Sequence, residues 1–192
     1  MVPDLLWWRQ LSPGWKQAFA ETVFHHANEP TPGELAQLFA LQALRFAGPR
    51  AAYANMRFEL TDLSGVAALT NLTVLVVIHH RIETITEVQS LTQLKALFLL
   101  DNQIKSLAGI EDLLSLEQLY VQLNQIDSLK PVAKLTNLKE LYVHDNPLSS
   151  LEGLTEAHSE KLEGFFCKPN EGLKQKEIMR VERELYIRCR GI

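Results

Sequence analysis

The sequence lacks the features of several protein classes. Its two cysteines, Cys167 and Cys189, are too few for a disulfide framework, and we expect both to be buried or unreactive thiols. The formal net charge of -4 offers no positive excess to attract nucleic acid, so no nucleic-acid partner is expected. The longest hydrophobic runs, residues 74–78 and 96–100, have five residues each, against the roughly 20 that span a bilayer. No membrane span is therefore predicted.

The beginning of the chain shows no targeting signal. Residues 1–9 contain the acidic Asp4 and a short apolar stretch, without a basic leader or a small-residue cleavage site. We expect a soluble, cytoplasmic protein, with secretion left open as the alternative. Since 46% of the residues are hydrophobic, the chain can bury a continuous core, and disorder is the less favoured interpretation.

The strongest pattern is an internal repeat of the form L-x-x-L-x-L-x-x-N, in which Leu, Val or Ile fill the apolar positions. Four copies, each 22 residues after the one before, begin at Leu72, Leu94, Leu116 and Leu138. A weaker copy begins at Leu41, with Pro49 in the Asn position and nine additional residues behind it. Another begins at Leu162 after a spacing of 24 residues. The copies predict about six stacked strands.

The final Asn of each copy has a physical reason. Its amide both donates and accepts hydrogen bonds where backbone groups at the end of a buried strand would otherwise be unpaired. Two copies depart from the pattern: His80 can supply one donor and one acceptor, whereas the Pro49 side chain can supply neither. We therefore expect this ladder to be weakest at its N-terminal end.

These residues resemble the 22-residue class of leucine-rich repeats, found in the phosphatase-binding nuclear regulatory subunit and in internalin-type bacterial surface proteins. The whole chain also resembles the small bacterial stand-alone repeat proteins. The resemblance covers about residues 38–170 and implies an α/β solenoid, a right-handed horseshoe with a concave parallel sheet. It implies protein binding without naming a partner, because such arrays bind many unrelated proteins.

Both ends of the array need caps, because a terminal repeat exposes half of its core. Ser12 and Pro13 predict the start of a helix that runs to about His26, and Thr31 to Glu34 form a capping box for a second one. An apolar stripe from Leu173 to Leu185, with Glu184 four residues before Arg188, predicts a C-terminal capping helix. The predicted hydrophobic plug of the N-terminal cap consists of Trp7, Trp8 and Trp15. The predicted parts of the chain are a helical N-terminal cap over residues 1–37, the leucine-rich repeats over residues 38–170 and the C-terminal capping helix over residues 171–192.

Alternate side chains of each strand face the concave surface and stack in columns from one repeat to the next. Two columns form an apolar and aromatic strip about 24 Å long, and contiguous apolar surface with Tyr and Phe usually marks an interface. The predicted partner-binding residues are Val76, Ile78, Phe98, Leu100, Tyr120, Gln122, Tyr142, His144 and Phe166. The predicted polar rim consists of Arg45, His79, Asp101 and Asp145, where His79 beside Asp101 is suited to tune partner choice or pH response.

The favoured function is a protein-binding scaffold or adaptor that recognises another protein through this face. The alternatives are a homodimer formed through the same face, and aromatic side chains that stack only to shield the sheet. No catalytic residue, metal site or cofactor is predicted, because no phosphate loop, nucleophile elbow or zinc-binding spacing occurs. Leu123 also separates Asp101 from Asp145, so their carboxylates are not expected to converge on one ion.

Overall fold

The computed structural model describes residues 3–192, and seven parallel strands pair in chain order to form one sheet. The strands are β1 (Ala43–Ala47), β2 (Val74–Ile78), β3 (Ala96–Phe98), β4 (Gln118–Tyr120), β5 (Glu140–Tyr142), β6 (Gly164–Lys168) and β7 (Arg190–Gly191). Equivalent repeat positions are paired, so Leu75 lies beside Leu97 and Leu97 beside Leu119. The predicted solenoid with a concave parallel sheet is confirmed.

The sheet has one strand more than the sequence indicated. β7 follows the C-terminal helix and pairs with β6 in parallel, with a shift in register between Phe166 and Lys168. Ile187 and Cys189, just before β7, are buried and extend the core. This segment covers the edge of β6, which would otherwise present unpaired backbone groups.

The core is a stack of aliphatic columns. The apolar consensus positions of the four central copies are all fully buried, namely Leu72, Leu75, Val77, Leu94, Leu97, Leu99, Leu116, Leu119, Val121, Leu138, Leu141 and Val143. Short 3-10 turns return the chain along the convex side at Ser64–Val66, Thr86–Ser90, Lys130–Lys134 and Glu156–His158. Because each buried aliphatic side chain contributes about 1.5–3 kcal/mol, the burial of these columns strongly favours folding.

The N-terminal cap contains three helices, α1 (Pro3–Gln10), α2 (Pro13–Phe19) and α3 (Pro32–Ala40). The predicted caps are present: Ser12 Oγ accepts from the Trp15 amide, and Thr31 and Glu34 form the capping box. The helix that was predicted to run to His26 is shorter in the structure. A π-helical turn over Ala20–Phe24 follows α2, and His25, in the left-handed region, ends it. α1, which carries Trp7 and Trp8, was not anticipated.

Three aromatic rings seal the cap onto the first strand. Trp15 and Phe19 are fully buried, and their ring centroids lie 5.1 Å and 5.6 Å from that of Phe46 on β1. The Trp15 Nε1–H donates to Asp62 Oδ1 at 2.9 Å. Trp8 is also buried and Trp7 is half-buried, so the tryptophans form the plug that the sequence predicted.

The C-terminal cap is α4 (Gln175–Glu184), which buries Ile178 and Val181. Glu177 joins it to the last repeat, because its carboxylate accepts from the Leu151 amide at 2.9 Å and pairs with Arg180 at 2.8 Å. These bonds, the Arg180 guanidinium foremost, lower the pKa of Glu177 to about 2. The predicted pairing of Glu184 with Arg188 is wrong, since α4 ends at Glu184 and Arg188 belongs to the extended segment before β7.

The two cysteines are free and buried, as predicted. Cys167 lies on β6 and Cys189 in the segment before β7. The neighbouring Cys167 thiol and burial raise the pKa of Cys189, which disfavours its thiolate. Among residues 3–192, the helices are all too short or too polar to cross a membrane.

Candidate binding surface on the concave sheet

Buried asparagines hold the ends of the central strands. Asn102 Oδ1 accepts from the Ile82 amide at 3.2 Å, and its Nδ2 donates to the carbonyl of Val77 at 2.9 Å and to that of Leu99 at 3.0 Å. Asn124 and Asn146 make the equivalent bonds one and two repeats later. Each amide therefore bridges two turns of the solenoid, which fixes the strands that carry the concave side chains.

His80 replaces the asparagine at the end of β2. Its Nδ1 accepts from the Leu60 amide at 3.1 Å, so the ring hydrogen is on Nε2, which donates to the Phe46 carbonyl at 3.3 Å. Burial lowers the pKa of His80 to about 4 and keeps the ring neutral at pH 7. The predicted donor and acceptor roles of His80 are confirmed.

Asn55 compensates for Pro49 at the end of β1. Its Oδ1 accepts from the Ala47 amide at 2.7 Å, and its Nδ2 donates to the Arg45 carbonyl at 2.7 Å. Asn55 lies inside the nine-residue insertion, outside the repeat frame. Its role was not predicted because the repeat frame places Pro49 at this point, although an Asn inside an insertion was the available signal.

A left-handed residue precedes the closing side chains of β2, β3, β4 and β5. The φ angles of His79, Asp101, Leu123 and Asp145 are 59°, 53°, 58° and 55°. This conformation turns the chain sharply away from the strand. The side chains of these four residues, which form the last concave column, therefore point outward. Asp tolerates it because its short side chain bonds locally, whereas Leu123 carries the steric strain of a bulky residue.

Four aromatic rings stack along the middle column, and we call Phe98, Tyr120, Tyr142 and Phe166 the aromatic ladder. Successive ring centroids are 4.7, 4.1 and 4.3 Å apart, and the last pair is almost parallel at 17°. All four rings are half-buried, as is Val76 in the same column. The Arg190 guanidinium lies 5.7 Å from the centroid of Phe166 and covers that end of the stack.

The adjacent column is less uniform. Ile78, Leu100 and Gln122 are half-buried, whereas His144 is only 6% exposed. The Nδ1 atom of His144 lies 2.6 Å from Asp145 Oδ2. Within residues 3–192, Gln122 Oε1 is buried and has no hydrogen-bond partner. The column therefore offers two aliphatic side chains and one unpaired acceptor beside the aromatic ladder.

Glu140 joins the aromatic ladder from the opposite side. The Tyr120 hydroxyl donates to its carboxylate, and Gln118 Nε2 donates to the same oxygen at 3.0 Å. Burial, together with the Glu140 carboxylate, raises the pKa of Tyr120 and keeps its hydroxyl protonated. Glu140 and Gln118 were not among the predicted site residues, although a carboxylate one strand from a tyrosine on the same face was a usable signal.

The N-terminal part of the rim is a network of charges. His79 Nδ1 lies 2.6 Å from Asp101 Oδ2, as the columns predicted, and Arg50 lies 3.5 Å from the same oxygen. Arg50 also pairs with Glu59 at 3.1 Å. Arg45 is exposed and donates to the Tyr53 carbonyl at 2.5 Å. Across residues 3–192, no three His, Cys, Asp or Glu side chains are grouped to hold a metal ion.

Comparison with known proteins fits this geometry. Residues 114–156 match the family model described as leucine-rich repeats in two copies. An internalin (inlF) of Listeria monocytogenes has 27% identity and a TM-score of 0.64, over 77% of this chain and 40% of its own. The chain is a leucine-rich repeat protein. Its repeats are of the internalin-like type.

Other solved structures agree on the fold of this leucine-rich repeat protein. A leucine-rich repeat protein of Leptospira interrogans is 26% identical with a TM-score of 0.64, over 85% of this chain and 40% of that one. The ectodomain of the receptor kinase SOBIR1 from Arabidopsis thaliana, 22% identical with a TM-score of 0.53 over 67% of this chain and 69% of that one, shows the fold alone. The chain spans about 40% of the length of the two bacterial neighbours. A search of curated proteins gives no match.

Leucine-rich repeat proteins generally serve as protein-binding scaffolds and are typically not enzymes. The resemblance lies in the framework, meaning the buried aliphatic columns and the asparagine ladder formed by Asn102, Asn124 and Asn146. It says nothing about the side chains that differ on the concave face. The partner-binding residues and the rim named from the sequence therefore stay predictions.

Proposed function

We propose that this protein is a cytoplasmic scaffold or adaptor that binds a partner protein through its concave face, with the aromatic ladder as the anchor. The observation that carries the proposal is the unbroken stack of Phe98, Tyr120, Tyr142 and Phe166, partly exposed on one face of the sheet. Contiguous aromatic surface of this kind marks interfaces, and Tyr is among the residues that dominate binding energy.

The stack is also preorganised for binding. Each ring is held by its neighbours at centroid distances of 4.1–4.7 Å, and the Tyr120 hydroxyl is fixed by Glu140. Side chains that are already ordered lose little conformational entropy on association, so more of the contact energy appears as affinity. The strands beneath are fixed by the asparagine ladder, which makes the face a rigid template.

The polar groups beside the stack supply direction. Gln122 Oε1 is buried and unpartnered within residues 3–192, and an N–H group of a partner can satisfy it. The half-buried Ile78 and Leu100 continue the apolar contact toward the N-terminal end. An apolar centre with a few polar groups at its margin is the usual anatomy of a protein interface.

The test compares three baits in lysate of the native host. The wild type and the Tyr120→Ala, Tyr142→Ala double variant are immobilised, and bound proteins are identified by mass spectrometry. Leu114→Ala serves as the matched control, because Leu114 is an exposed apolar side chain outside the concave columns. We expect a protein that is captured by the wild type and the control and is lost from the double variant.

A partner bound equally by the double variant would contradict the proposal. Light scattering on the same samples detects self-association: a wild-type dimer that dissociates in the double variant, with no other protein captured, would assign the face to a homodimer instead.

A further inference from the structure

The acidic side chains of the concave columns are already engaged. Asp101 lies against His79 and Arg50, and Asp145 lies against His144. Glu140 accepts from the Tyr120 hydroxyl and from Gln118. A partner therefore meets little free negative charge on this face.

The basic side chains at the C-terminal end of the face, unlike the acidic ones, are not engaged in ion pairs within the described part of the chain. From residue 186 to residue 190, burial alternates: Ile187 and Cys189 are buried, whereas Arg188 and Arg190 are exposed. In an extended segment this alternation places both arginines on the concave side. Lys168, at the end of β6, pairs with Gly191 in the sheet and lies one column from Arg190. We call Lys168, Arg188 and Arg190 the cationic patch.

The cationic patch carries free charge. Of the ion pairs formed within residues 3–192, none contains Lys168, Arg188 or Arg190, and the Arg190 guanidinium lies over the ring of Phe166. The patch directly continues the aromatic ladder, because Phe166 on β6 is paired with Arg190 on β7. The concave face is thus aromatic at its centre and positive at one end.

We propose that the partner binds with an acidic segment, whose apolar side chains lie on the aromatic ladder and whose carboxylates lie on the cationic patch; this inference rests on the proposed function. Arginine suits carboxylates because its guanidinium donates two parallel hydrogen bonds. Two strand spacings of about 4.8 Å separate Tyr142 from β7, or roughly three residues of an extended peptide. The segment therefore carries its acidic residues about three positions from an apolar anchor.

A nucleic acid fits the same face poorly. Single strands bind by stacking bases on open aromatic faces, but the faces of Tyr142 and Phe166 cover each other at 4.3 Å, and Arg190 covers the end of the stack. Phosphate backbones also need many cations, and the chain has a net charge of -4. The ring edges and three cations match a short acidic peptide better.

The experiment pans a displayed library of random 12-residue peptides against the immobilised full chain. We expect enriched peptides that combine acidic residues with an apolar or aromatic residue about three positions away. A synthesised, fluorescein-labelled winner should lose at least tenfold in affinity on Arg188→Glu with Arg190→Glu, measured by anisotropy. The matched control is Lys176→Glu with Arg183→Glu, the same change of charge on exposed cations of α4, and should stay within threefold.

A charge swap separates electrostatics from lost packing. A peptide in which Lys replaces the acidic residues should bind the reversed variant at least tenfold better than the wild type. Winners that depend on Tyr142, are not acidic and ignore the reversal would overturn this inference and leave the proposed function intact. Winners that bind the Tyr120→Ala, Tyr142→Ala variant equally well would contradict both.

Two further outcomes also count against the acidic segment. A library without any enriched peptide would overturn it. So would a fluorescein-labelled oligothymidine of 20 nucleotides that binds as tightly as the best peptide and competes with it, because the patch would then be a phosphate site.

Discussion

The first junction of the solenoid and its central repeats meet the same requirement with different chemistry. Between β3 and β5 the register advances by 22 residues, and each strand end is closed by an asparagine. Between β1 and β2 it advances by 31 residues, and Asn55 and His80 close the ends instead. The fold needs a buried donor and acceptor at each turn, and side chains other than the consensus amide can supply them.

The two regions also differ in what seals them. Each central turn is packed against equivalent turns of the neighbouring repeats, so aliphatic columns are enough to fill the space between them. The first turn is packed against the helical cap, where Trp15, Phe19 and Phe46 fill an irregular space. The first junction therefore depends on large rings and on one titratable group, whereas the central repeats depend on uncharged amides. This difference leads to four predictions.

Trp15→Ala should have the largest effect, a loss of about 4 kcal/mol in the free energy of unfolding. The ring is fully buried, and its removal leaves a cavity beside Phe19 and Phe46 and deprives Asp62 of a donor. Urea denaturation followed by circular dichroism measures the loss. Gly65→Ala tests the contact from the other side, because a Cβ there would lie 2.0 Å from Trp15 Cδ2. If the free energy of unfolding fell by less than about 1.5 kcal/mol in both variants, the packing of these aromatic rings would not be what holds the cap on β1.

Asn124→Ala should cost about 3 kcal/mol, because it leaves buried backbone groups of two turns unpaired. Asn71→Ala is the matched control: Asn71 is exposed and makes one bond, to the Phe39 carbonyl. The same urea titrations compare the two variants. If both lost equally little, the amide ladder would not be what holds the central strands.

His80 should make stability depend on pH. Its folded pKa of about 4 lies below the ordinary value near 6.5, so the unfolded chain binds the extra proton first. Stability is therefore complete above pH 6.5 and falls as the pH drops toward 4, by roughly 3 kcal/mol at most. Glu59 favours the charged ring, while Arg50, His79 and above all burial oppose it.

His80→Asn restores the consensus amide and should remove most of this loss, as measured by thermal unfolding between pH 4 and 7. His25→Gln, at an exposed histidine, is the control and should leave the profile unchanged. A smaller slope persists in His80→Asn, because burial also lowers the pKa of His158. An unchanged profile for His80→Asn would contradict the neutral, buried His80.

Leu123→Asn should give the smallest effect and the opposite sign, a gain of about 0.5–1 kcal/mol. Leu123 has a φ of 58° and is 47% exposed, so Asn relieves the strain while little buried area is lost. Leu114→Asn, at an exposed leucine without positive φ, should give no gain. Thermal unfolding ranks the two, and equal shifts would mean that the turn carries no strain.

The repeat made the sheet, its register and the core columns predictable, because aliphatic periodicity and a closing Asn are local in sequence. Features outside the period were not predicted: Asn55 lies in an insertion, and β7 depends on where α4 ends. The left-handed turn was hidden because His79, Asp101 and Leu123 share no side-chain chemistry, only a backbone requirement. Domain boundaries, cytoplasmic location and the site residues stay predictions.

The concave columns and the pairing of His79 with Asp101 followed from strand alternation, but the other polar bonds of the columns did not. Alternation predicts which side chains share a face, whereas the link from Tyr120 to Glu140 and the burial of His144 depend on rotamers. That the cations of Lys168, Arg188 and Arg190 lie together without an ion pair to any described residue likewise becomes clear only once β7 is placed beside β6.

The most direct test of the binding face is the affinity of the captured partner for Tyr142→Ala, measured by titration calorimetry beside Tyr142→Phe. We predict a loss of at least 30-fold for Ala, equal to about 2 kcal/mol, and less than threefold for Phe, which keeps the stacked ring. Unchanged affinity for Ala, together with a loss of several kcal/mol in folding stability, would contradict the account and make the aromatic ladder a shield for the sheet.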